Sequence, residues 1–210
     1  MDSGKNQLRL VDITKSFPSD QDRIDVLDCI NLSISPGEFV SILGPSSCGK
    51  STIFNLIVGL IQPDSGVILL GDVPIRGVTG NFAYMQQNDL LLPWRTVIQN
   101  AVVSAEIQDK QKTKLKARAT ELLAWIGLKG FEKSYPVQLS GGMRQRVALI
   151  RTLLLEKEML LLDEPFCALD AITRSSMYQL LLEIWQEWEK TVLLITHDIE
   201  EALLFSDRVY

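Results

Sequence analysis

Cysteine is scarce in this chain of 210 residues, with Cys29, Cys48 and Cys167 far apart, and histidine occurs once, as His197. So few and so scattered, they build neither a disulfide framework nor a Cys/His metal cluster, and each thiol is expected to stay reduced and inert. A basic excess is also missing. The 21 Lys and Arg stand against 26 Asp and Glu, a formal net charge of −5, which gives no field for gathering a nucleic-acid backbone and speaks against such a partner. No apolar run reaches the ~20 residues of a membrane-crossing helix, and residues 1–7 lack the charged-then-apolar layout of a secretory leader. The chain is therefore expected to stay cytosolic. Internal repeats and low-complexity segments are absent. What is present is ordinary globular composition: 46% hydrophobic residues, enough to bury a full core as one large domain or two small lobes.

Against this background one stretch stands out. Gly44, Pro45, Ser46, Ser47, Cys48, Gly49, Lys50 and Ser51 fill every position of the phosphate-binding pattern G-x-x-x-x-G-K-[ST]. Residues 38–43 before it read as a buried strand and Thr52 with residues 53–57 after it as a helix, the order that the chemistry needs. The two glycines let the backbone curl until successive N–H groups point inward at the positive end of the helix dipole. Lys50 can then reach the β- and γ-phosphates of a nucleoside triphosphate, and Ser51 can place its hydroxyl on Mg²⁺.

Residues 8–13 and 26–34 read as short strands, broken at 16–20 and at Ser35, Pro36 and Gly37, which suggests an antiparallel layer beside the loop. Strand signals at 67–70 and 82–85 give way to helical patterns at 97–105 and 112–126 and to a helix opening near Ser140. A helical insertion over 88–156 is thus expected between the flanks 1–87 and 157–210. Strands return at 159–163 and 191–196, separated by a helix over 172–189, an α/β alternation that implies a mostly parallel core. The run Lys110, Lys112, Lys114, Lys116 and Arg118 reads as the solvated face of one helix.

The apolar run 159–162 ends in Asp163, Glu164 and Pro165. Such a strand sets two carboxylates at the carboxyl edge of a parallel sheet, the edge at which open α/β sheets bind ligands and at which the phosphate loop also lies. Asp163 suits a Mg²⁺ bridging phosphates, and Glu164 a water aimed at the γ-phosphate. A third element, Leu139, Ser140, Gly141, Gly142, Met143, Arg144, Gln145 and Arg146, pairs an N-capping serine with two glycines at a helix start, another bare anion-binding end. Two such ends are redundant for a single γ-phosphate unless a second copy of the chain supplies one of them.

Residues 44–51, 139–145 and 159–164, with the tail Ile195, Thr196, His197 and Asp198, resemble the ATP-binding subunits of ABC transporters over nearly the whole chain: P-loop NTPases with a mostly parallel core, an antiparallel β layer and an inserted helical subdomain. The resemblance implies that two copies pack head to tail, with Ser140, Gly141, Gly142 and Gln145 of one closing on ATP held by the phosphate loop of the other. Gln87 matches the glutamine that senses Mg²⁺ and the γ-phosphate, and His197 the histidine that contacts that phosphate. Residues 168–170 match the loop linking the two sites, and Phe17 the aromatic that stacks on adenine. Gln87 to Trp94 and 166–174 are similar to importers of the nitrate, sulfonate and taurine type. That likeness implies transmembrane permease subunits, an extracytoplasmic solute-binding protein and a peripheral place on the cytoplasmic face of the membrane. Leu91, Leu92 and Trp94 face either the permease or the interior of the helical lobe. Gln86 and Cys167 depart from the usual pattern at positions outside the catalytic set. The end at residues 207–210, where the family continues through another strand and helix, implies a shortened chain with dimerisation in question.

Overall fold

The computed structural model describes residues 6–19, 23–107 and 112–210; Lys110, Asp20 and residues 1–5, on which parts of the sequence reading fall, lie outside them. The elements in chain order are β1 (Leu8–Pro18), β2 (Arg23–Ile34), β3 (Phe39–Leu43), α1 (Lys50–Ile57), β4 (Ser65–Leu70), β5 (Val73–Pro74) and β6 (Phe82–Met85). There follow α2 (Val97–Ile107), α3 (Lys112–Trp125), α4 (Gly141–Leu153), β7 (Met159–Asp163), α5 (Ala171–Trp188), β8 (Thr191–Thr196), α6 (Ile199–Phe205) and β9 (Arg208–Val209).

The central sheet is parallel, in the order β6-β7-β8-β3-β9, and a second, antiparallel sheet has the order β2-β1-β4-β5. The inner strands of the parallel sheet, β7, β8 and β3, are mostly apolar because both faces are covered, with Ser41 the polar residue inside β3. Leu160 and Leu162 of β7, with Val192 and Leu194 of β8, join the core shared with α2, α3, α4 and α5. Met159 and Leu161, with Leu193 and Ile195, join the core beneath α1 and the antiparallel sheet. Period-two alternation thus divides each strand between two cores rather than between core and water.

Strand β1 corrects the break expected at 16–20: it continues through Ser16, Phe17 and Pro18. A tertiary contact holds that extension, since Asp64 accepts from Ser16 N and Oγ at 2.8 and 2.7 Å and pairs with Lys15 Nζ at 2.8 Å. These partners hold the Asp64 carboxyl well below the ordinary carboxylate range, with the Lys15 hydrogen bond the largest cause. On α3, Lys114, Lys116 and Arg118 are exposed, the solvated face read from the sequence. The register pairs Leu43 of β3 with Thr196 of β8, and Asp163 of β7 with Ile195. The segments leaving all three strands therefore emerge together at one carboxyl edge.

Candidate active site

The phosphate loop follows β3 and runs into α1, whose N-cap is Gly49 at φ +96° with no side-chain cap. A Cβ on Gly49 would stand 2.9 Å from Val26 Cγ1 and 3.0 Å from the Val26 carbonyl oxygen, so glycine is required there on both conformational and steric grounds. Ser47 also has positive φ, at +67°. The uncapped start of α1 brings amide hydrogens and the positive dipole end to this loop. Lys50 is 6% exposed, and its Nζ donates to the carbonyls of Gly44 at 2.7 Å and Pro45 at 2.6 Å. A cation held beside the positive end of a helix gains from an anion placed between them.

Asp163, at the end of β7, is 2% exposed, and Glu164 is 7% exposed. Burial pushes the Asp163 carboxyl above its usual range, with Glu164 adding to the rise, while the Ser51 hydroxyl, Lys50 and Tyr84 pull it back. Burial and the Asp163 charge push the Tyr84 phenol up in turn. A buried carboxylate beside two hydroxyls is a hard-oxygen donor set that suits Mg²⁺. Among the described residues no three His, Cys, Asp or Glu side chains gather into an all-protein metal cage. Substrate or water oxygens would have to complete the shell.

Glu164 sits at φ +47°, a left-handed conformation uncommon for a residue with a Cβ and of the kind found at strained functional positions. Its amide donates to the Ile195 carbonyl at 2.9 Å. Its Oε2 accepts from Gln87 Nε2 at 3.3 Å and lies 3.2 Å from His197 Nδ1. Three side chains from the ends of β6, β7 and β8 thus meet at one oxygen.

A cleft of about 440 Å³ is lined by Phe17, Val26, Ser46, Ser47, Gly49, Lys50, Ser51, Thr52, Gln87 and Glu164. Gly44 and Pro45 hold Lys50 at its floor, Asp163 lies behind Ser51, and Cys48 is exposed with Sγ 3.8 Å from Lys50 Nζ. Another cavity, of about 240 Å³, lies at the opposite sheet edge by Phe82, Met159 and Thr191 and contains none of these groups. The remaining sequence candidates stand apart from the cleft. Ser140 caps α4, accepting from Met143 N at 3.3 Å, and is exposed. Gly142 packs where a Cβ would meet Leu169 Cδ2 at 3.1 Å and the Ala168 carbonyl at 3.2 Å. Gln145 is buried and donates to the Gln87 carbonyl at 3.4 Å, behind the cleft. Tyr84 and Val26 escaped the sequence reading; the one available signal for Tyr84 was its place on the strand that precedes Gln87.

The ABC transporter family model matches residues 27–167. The aliphatic sulfonates import ATP-binding protein SsuB 1 of Rhodococcus jostii is 51% identical over 88% of this chain and 71% of its own length. The taurine import ATP-binding protein TauB of Yersinia pestis is 45% identical over 87% of this chain and 72% of its own. Among solved structures, the dimeric ATP-binding cassette MJ0796, in a post-hydrolysis state bound to ADP and phosphate, superposes with a TM-score of 0.87 at 32% identity, covering 94% of this chain and 91% of that one. With a phosphate loop, a buried acidic strand end and this likeness over nearly its whole length, the chain belongs to the ABC transporter family, as an ATP-binding and ATP-hydrolysing cassette.

Proposed function

We propose that this chain energises an importer for a small anionic solute of the sulfonate, taurine or nitrate class. In this reading it works as a head-to-tail homodimer on the cytoplasmic face of the membrane, beneath two permease subunits served by an extracytoplasmic solute-binding protein. The observation that carries the catalytic half is the meeting of Gln87, Glu164 and His197 at the mouth of the Lys50 loop. The solute class follows the sulfonate and taurine relatives.

Phe17 stacks on adenine, and the amides of 44–51 with Lys50 and Thr52 hold the phosphate chain. Ser51, Asp163 and Gln87 would hold Mg²⁺, which when bound would neutralise charge on the phosphates. Glu164 takes the proton of the attacking water, and His197 donates to the γ-phosphate. Ser140, Gly141 and Gly142 close on the partner's nucleotide, with Gln145 steadying Gln87 from behind. Residues 88–156 act as a helical subdomain carried by the core formed from 1–87 and 157–210. No helix among the described residues is long and apolar enough to cross a membrane, which suits peripheral attachment. Leu91 is buried in the core and Leu92 is half-buried, whereas Trp94 is 72% exposed; permease contact therefore falls to Trp94, with exposed Leu90 beside it.

Deleting the encoding gene and following labelled taurine, an alkanesulfonate and nitrate tests the solute. Uptake of at least one should fall to background and return with the parent gene but not with a Glu164→Gln copy. Uptake of all three left at the parental level would overturn the proposed solute class.

A further inference from the structure

A buried carboxylate that the site above does not use lies four residues beyond His197. Glu201, on α6, is 4% exposed. Its Oε1 accepts from the Tyr178 hydroxyl at 2.8 Å and its Oε2 from Thr196 Oγ1 at 2.5 Å. Thr196 Oγ1 in turn accepts from the Asp198 amide at 3.0 Å, and the Glu201 amide donates to Asp198 Oδ1 at 3.4 Å. His197 therefore stands between two residues that are both tied to Glu201. Burying a carboxylate is costly unless hydrogen bonds replace its hydration, and here hydroxyls supply them.

Helix α5 braces the same loop twice. Tyr178 packs edge-on against the stacked rings of Phe166 and Phe205, with ring centroids 5.0 and 5.1 Å away, which restrains the direction of its hydroxyl. Four residues earlier, on the same helix face, Arg174 reaches Asp198 Oδ2 at 3.6 Å and donates to the Leu169 carbonyl at 3.1 Å. We infer that Glu201, held by Tyr178, is a positioning residue that sets His197 against Glu164, an inference resting on the reading of His197 as a γ-phosphate contact. It acts through backbone and hydroxyl contacts and touches no substrate.

Two variants test it. Glu201→Gln keeps the volume but turns one acceptor into a donor facing a hydroxyl, and Tyr178→Phe keeps the ring packing while deleting one hydrogen bond. Because a misplacement of ~1 Å can cost up to ~100-fold, kcat for ATP is expected to fall about tenfold in Glu201→Gln and less in Tyr178→Phe, with KM within about twofold of the parent. Added to His197→Ala, Glu201→Gln should slow turnover no further. The chain has one histidine, so the imidazole Hε1 proton signal reads its surroundings directly and should move in both variants. Should Glu201→Gln fail to fold, Tyr178→Phe carries both readouts. Full additivity with His197→Ala, or an imidazole signal unmoved in every folded variant, overturns the inference. Parental turnover by His197→Ala would instead overturn the catalytic reading of His197, while a moved signal would still uphold the positioning.

Discussion

Lys50 shows how much of this site rests on single side chains. Its ammonium spends two of three donors on the loop's own carbonyls, so the charge is placed before any phosphate arrives and little side-chain freedom is lost on binding. A hydrogen bond to a charged group contributes roughly 1.5–3 kcal/mol. Lys50→Ala is accordingly expected to weaken ATP binding at least about tenfold, since ~1.4 kcal/mol corresponds to a factor of ten. A titration with a fluorescent ATP analogue measures it, and an unchanged Kd would remove Lys50 from the phosphate site. Glu164 carries a different burden: its backbone lies in the left-handed region, held there by a ladder bond to β8 and by the two side chains that meet its Oε2.

At the scale of elements, the segment from Gln87 to Trp94 has no regular structure yet is tied down at the carbonyls of Gln87, Asp89, Leu90 and Leu92. Arg151 on α4 donates to the carbonyls of Asp89 at 2.7 Å and Leu90 at 2.9 Å, and Arg144 Nε reaches Asp89 Oδ2 at 2.9 Å. Asn100, fully buried on α2, accepts from Leu92 N at 2.8 Å and donates to the carbonyls of Leu92, Arg95 and Thr96 at 3.0–3.1 Å. These bonds stabilise a turn in which Leu90 sits at φ +47°, costly for a large side chain. Asn100→Ala removes all four bonds. The Leu92 and Thr96 carbonyls keep the backbone amides of Arg95 and Asn100 as donors, but the Leu92 amide and the Arg95 carbonyl lose these partners, at about 1–3 kcal/mol for each group left unpaired before relaxation. A net loss of about 2–3 kcal/mol in urea unfolding is therefore expected. A loss below ~0.5 kcal/mol would mean that the segment holds its shape without Asn100.

Considered as a whole molecule, the cassette keeps two anion-ready helix starts apart. That of α1 opens into the cleft, whereas Ser140 at the start of α4 is exposed and does not line it. In the proposed head-to-tail dimer a second copy would bring the two together, with ATP as the joint between protomers. Glu164→Gln keeps size and one oxygen but does not take up a proton at neutral pH, so ATP should bind and persist. Mass action then predicts a shift from monomer to dimer on adding Mg-ATP, seen by sedimentation, where the parent shifts only transiently. A folded, ATP-bound variant that remains monomeric would refute assembly by this chain, and retained hydrolysis would take Glu164 out of the proton-accepting role.

The sequence by itself determined the parts whose physics is local. A strand, a glycine loop and a helix in immediate succession specify a phosphate cradle, because curling the backbone and exposing its amides needs only neighbours in the chain. The apolar run ending in Asp163 and Glu164 was legible for the same reason, as was the period of nearly every strand and helix. Tertiary structure decided what depends on which face packs against what. It carried β1 past the expected break through Asp64, sent Leu91 inward while Trp94 stayed exposed, and turned Gln145 behind Gln87. It also gathered Glu201, Tyr178 and Thr196, whose separation in sequence carries no periodic signal. A buried polar network is defined by partners that satisfy one another in space, and no pattern along one strand or helix encodes that closure.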